Sequence, residues 1–145
     1  MEQRVKTNHP RSTFCFYASG RNLSDDLWHQ MRTVVTTLSK SRTWVIGPPT
    51  LADENDGEVR WIGGSLEIYT ALPPFGADLP KDVDRRHLEE VTAIVDAMTK
   101  LSGQTDLEIS FTLDQTYVGR IKGGKPDSMI QVGLLGEWKK ALGIA

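Results

Sequence analysis

Apolar side chains recur along this chain with two periods. From Ser12 to Ala18 they alternate. Phe14, Phe16 and Ala18 fall on one face of a strand, and Thr13, Cys15 and Tyr17 on the other. Large side chains on both faces predict a central place in a sheet. Leu27, Met31, Val34, Val35 and Leu38 then follow at i, i+4, i+7, i+8 and i+11, the buried stripe of an amphipathic helix over Asp25–Ser39. Asn22 and Ser24 offer its N-cap, and Asp25 and Asp26 place negative charge where the helix dipole favours it.

Thr43 to Ile46 predicts a second strand, stopped by Gly47-Pro48-Pro49. Residues 51–58 read as an acidic connection with a turn at Asp56-Gly57. Val59 to Thr70 reads as a long strand, interrupted at Gly63-Gly64 by a bulge or a second turn. The proline-rich loop from Leu72 to Pro80 suits no element interior. A second helix, Asp82–Leu101, turns Leu88, Val91, Ile94, Val95, Met98 and Leu101 inward and stops at Gly103. Leu107, Ile109 and Phe111 mark a fourth strand, and Tyr117–Lys122 a fifth. Asp127 or Ser128 caps a last helix carrying Met129, Val132, Leu135, Trp138 and Leu142, unless Gly133 and Gly136 delay its start to near Leu134.

The order strand–helix–strand–strand–helix–strand predicts an α+β fold, a ferredoxin-like split β-α-β sandwich (β-α-β-β-α-β) with helices on one face of an antiparallel sheet. The fifth strand and the C-terminal helix extend it. Residues 1–145 are expected to form a single domain, with 1–11 as a polar arm or short edge strand.

Composition narrows the function. A formal charge of −2 opposes nucleic-acid backbone binding as the main activity. No apolar run approaches the ~20 residues of a membrane span, and the first residues lack the apolar core of a secretory signal. One cysteine, Cys15, excludes an internal disulfide and fits a reducing compartment, so a cytoplasmic protein is expected.

Candidate chemistry is thin. Gly119-Arg120-Ile121-Lys122-Gly123-Gly124-Lys125 has the spacing of a phosphate-binding loop. Pro126 stands where Ser or Thr would ligate magnesium, and the first glycine falls inside a strand. Asp53-Glu54-Asn55-Asp56-Gly57-Glu58 fails the calcium-loop register, because glycine occupies its fifth position rather than its sixth. His29 falls near Asp25 and Asp26 on a helix, and His87 falls near Asp84 and Glu90, spacings equally suited to surface pairing. No metal or other cofactor is called for. Phe14, Phe16 and Tyr17 would suit base stacking, but Leu66–Thr70 lacks the basic aromatic motif of RNA-recognition domains. Cys15, between two phenylalanines, reads as a buried inert thiol.

Four tryptophans are many for this length, and an exposed one suits an interface. Arg60, Trp61, Tyr69 and Phe75, with Asp53, Glu54 and Asp56, form the candidate protein-binding cluster beside the two irregular loops. The leading expectation is a non-enzymatic protein-binding module with a basic protein partner, of the type of a bacterial toxin-neutralising immunity protein. The alternative is a small enzyme or ligand-binding protein with a pocket between the sheet and the 71–81 loop, where His87, Asp84, Glu90 and Tyr69 would act. Pairing of copies through Tyr117–Lys122 or the N-terminal arm is compatible with either.

Overall fold

The computed structural model describes residues 11–21, 23–69 and 79–143. Alternation in the first strand organises the rest. In β1 (Arg11–Gly20), Ser12, Phe14, Phe16 and Ala18 are buried, while Thr13, Cys15 and Tyr17 are half-buried on the opposite side. The strand is central, paired antiparallel with β3 (Val59–Tyr69) on one side and β4 (Ile109–Leu113) on the other. β2 (Thr50–Asp56) adds to β3, β5 (Thr116–Lys122) to β4, and the two-residue β6 (Lys125–Pro126) to β5. The result is an α+β architecture with a six-stranded antiparallel sheet in the order β2-β3-β1-β4-β5-β6.

The helices pack on the Phe14 side. α1 (Asp25–Lys40) is capped by Ser24, whose Oγ accepts the Leu27 N–H at 3.2 Å, and buries Met31 and Val35. α2 (Lys81–Thr105) buries Val91, Ile94, Val95 and Met98 against Phe14, Phe16 and Phe111, and the rings of Phe14 on β1 and Phe111 on β4 stack at 5.6 Å. A π-helical segment, Met129–Gly136, and a short α3, Glu137–Ala141, complete that layer. Among the described residues no element packs on the side that carries Cys15 and Tyr17, and no helix is long and apolar enough to cross a membrane.

Several expectations are corrected. Thr43–Ile46 is not a strand. The Trp44 indole N–H turns back to the Ser39 carbonyl (3.0 Å), and the Val45 N–H goes to a glutamate side chain, so this apolar run covers α2 instead of joining the sheet. The second strand is the acidic stretch Thr50–Asp56, which tolerates its charge because it is an edge, mostly in solvent. β3 runs through Gly63-Gly64 without a break in register. Here β3 crosses β1 so closely that a Cβ on Gly63 would meet the Phe16 carbonyl oxygen at 1.9 Å, and only glycine fits.

α2 continues past Gly103, where the missing side chain admits the Gly123-Gly124 turn, and ends on Asp106 in the left-handed conformation. The last helix begins as a π-turn whose inward residue is Ile130, seated in the space that Gly119 leaves. Met129 and Val132, two of the apolar residues expected on this helix, are exposed. The loop from residue 70 to 78, and the arm before Arg11, lie outside the described residues.

Candidate functional site

The four residues of the expected pocket separate into two pairs. His87 and Glu90 are fully buried on α2. His87 Nε2 accepts the backbone N–H of Tyr69 (3.1 Å), which leaves its proton on Nδ1, 2.8 Å from Glu90 Oε1. Glu90 Oε2 accepts the N–H of Val45 at 2.7 Å. Every polar atom of the pair is thus used to fasten the end of β3 and the α1–β2 connection to α2. The arrangement is a structural clip, with no nitrogen or oxygen left to face a substrate.

Tyr69 and Asp84 line a cavity of about 270 Å³ at the end of the sheet, together with Ile68, Leu79, Leu113, Leu134 and Trp138. Asp84 Oδ1 accepts the Trp138 indole N–H at 2.7 Å, so this carboxylate holds the C-terminal segment against α2. The Tyr69 ring carries the Arg11 guanidinium over its face at 5.6 Å. The cavity is otherwise apolar. His29 lies apart from all of these, in a shallow groove between α1 and α2, and Asp26 is bonded by Gln30 rather than by His29. Among the described residues no three His, Cys, Asp or Glu side chains come together as a metal site.

Five of the seven residues expected to bind protein are brought together on the β2–β3 hairpin, whose turn at Gly57 has the positive φ of the first central residue of a II′ turn. They point two ways. Arg60 faces the helices and donates from Nε and Nη2 to Asp53 (2.8 and 2.7 Å), and from Nη1 to Asp25 (2.9 Å) and to the Leu23 carbonyl (3.2 Å). The hydrogen bonds from Arg60 hold the Asp53 carboxyl below the usual carboxylate range, and the pairing raises the arginine further above its ordinary value. Trp61 faces the other side, opposite Glu54. Glu54 and Asp56 on β2, an edge strand among the described residues, and Glu58 in the turn are exposed. Tyr69 is at the far end of β3, and Phe75 lies outside the described residues.

The uncovered face of the sheet gathers residues that the sequence did not group. Cys15, expected to be buried, is half-buried there with Tyr17 and Trp61. Tyr117 stands beside Tyr17 on this face and is 45% exposed, and its phenol is raised above the ordinary value by local desolvation and then by Asp127. Alternation alone separates Tyr17 from Phe16, but only the sheet order puts Tyr17 near Tyr117. The segment resembling a phosphate loop is β5 followed by the two-residue turn Gly123-Gly124, both at positive φ as a I′ hairpin requires. Its amides serve the hairpin, and the Gly124 N–H is bound by Ser102 Oγ (3.0 Å).

No family model matches the chain, and no curated protein and no solved structure matches it.

Proposed function

We propose that the protein is a non-enzymatic binding module that takes a basic protein partner along the β2 edge. The observation that carries this reading is the edge itself: seven residues whose outer main-chain groups have no strand beside them among the described residues, with Glu54 and Asp56, and Glu58 in the turn that follows, in solvent. A second copy of so acidic an edge would be repelled, whereas a strand bearing Lys or Arg gains both ladder hydrogen bonds and charge complementarity. A toxin-neutralising, immunity-type role is one such use, since it needs an acidic surface against a basic protein. The ferredoxin-like description of β1–α1–β2–β3–α2–β4 belongs to the same proposal. It is supported by β3 lying between β1 and β2, and by β1 lying between β3 and β4.

The use of His87 and Glu90 as a clip supports this reading over the enzymatic one. The test is co-purification at native salt followed by amide hydrogen exchange. The expected partner is basic, is released as salt rises, and slows exchange across Thr50–Asp56. Recovery of no partner, or protection that leaves β2 untouched, would overturn the reading.

A further inference from the structure

The uncovered sheet face is charged unevenly, and its two ends complement each other. At the β2 end it presents Glu54 and Asp56. At the other end it presents Arg120, Lys122 and Lys125, with Glu108 3.3 Å from Arg120. Register fixes their heights along the strands. Glu54 is opposite Trp61, and Trp61 opposite Ser19. Tyr17 is opposite Ser110, and Ser110 opposite Arg120, so Lys122, two residues on, stands at the height of Ser19 and therefore of Glu54. Acid and base face the same side at one level, four strands apart.

We propose that a second copy of this chain covers this face, the two sheets stacking about a two-fold axis that runs along β1. Such an axis keeps height and reverses strand order, so β2 of each copy lies over β5 of the other and Glu54 meets Lys122. A two-fold axis across the strands would instead lay β2 on β2, acid against acid. Between the charged ends Gly63, Ser65, Thr13 and Ser110 are small, Tyr17, Trp61 and Tyr117 supply aromatic surface, and Glu67 is bonded by the Thr13 hydroxyl. Five strands at ~4.8 Å spacing, the longest about 36 Å and the others shorter, give a face near the lower limit for a specific interface. The stack leaves the outer main-chain edge of β2 on the rim, so it does not depend on the edge-binding reading.

The same axis places Cys15 opposite Cys15. Stacked sheets lie ~10 Å apart, too far for a disulfide and within reach of a short bismaleimide. The full-length protein is expected to sediment as a dimer at high micromolar concentration, and to be joined by that reagent through Cys15, with Cys15→Ser unlinked. Glu54→Lys with Asp56→Lys, and separately Arg120→Glu with Lys122→Glu, should each weaken self-association about tenfold or more. Mixing the two charge-reversed proteins should restore a dimer, because each then meets its complement. A wild-type monomer at high concentration overturns the proposal. So does a dimer that the reagent does not link, or one unaffected by charge reversal. If a reversed variant fails to fold, crosslinking of the wild type alone decides.

Discussion

Nε2 of His87 accepts the backbone N–H of Tyr69 across 3.1 Å, a bond that commits the imidazole to one tautomer and joins the last residue described in β3 to the second helix. The other nitrogen is committed by Glu90. Replacing Glu90 with alanine would leave two buried donors, Nδ1–H of His87 and N–H of Val45, without acceptors. At about 1–3 kcal/mol for each orphaned group, the loss should be roughly 2–6 kcal/mol in a denaturant titration. Nitrogen NMR of the histidine ring should show the proton on Nδ1 at neutral pH. A freely exchanging mixture of tautomers would mean that the clip is not formed.

Gly63→Ala should cost about 1–3 kcal/mol or more, because the added methyl has only the Phe16 main chain to displace. Thermal or denaturant unfolding reads this directly. Gly133, with no atom near its missing side chain, is the control and should tolerate alanine without loss.

The hairpin bridge supplies a pH dependence. Asp53 has a folded value lowered by Arg60, so its contribution is fully present above the unfolded carboxylate value of ~4 and fades as pH falls through the lower folded one. Asp53→Asn should therefore be less stable than the wild type at neutral pH. The gap should close in strong acid, and high salt should narrow it, since the pair is partly exposed. Parallel unfolding curves at several pH values check both statements.

These positions also show what a sequence can disclose. Alternation through Phe14, Phe16 and Ala18 and the helical stripe through Met31 and Val35 were legible, because each reports one burial pattern within one element. Strand β2 was not. Seven mainly polar residues form a strand only because β3 is there to pair with, whereas the neighbouring apolar run Thr43–Ile46 looks like a strand and is drawn away by Glu90. Of the candidate residues, the hairpin group was gathered by adjacency in the chain. The opposite facings of Arg60 and Trp61 follow from alternation once β3 is known to be unbroken. The fate of His87 depended on two backbone amides, Tyr69 N–H 18 residues from the ring and Val45 N–H 45 residues from its partner Glu90, and a sequence does not announce such donors.

Ser102 joins two segments at once, donating to the Leu107 carbonyl at 2.6 Å and accepting from Gly124 at 3.0 Å. Ser102→Ala should cost about 1–3 kcal/mol, since it strands a half-buried amide and carbonyl near the end of α2. Hydrogen exchange at Gly124 should accelerate while that of β1 stays slow.

Trp138 reaches Asp84 only because the turns before it are wound wider than an α-helix. An α-helix advances about 100° per residue, so excising one residue from Met129–Gly136 would swing the indole by about that angle. The chain could lose a residue there without losing its helix, yet the C-terminal segment would lose its foothold on α2. In this protein, a change of length in the last helix is therefore a change of address for everything that follows it.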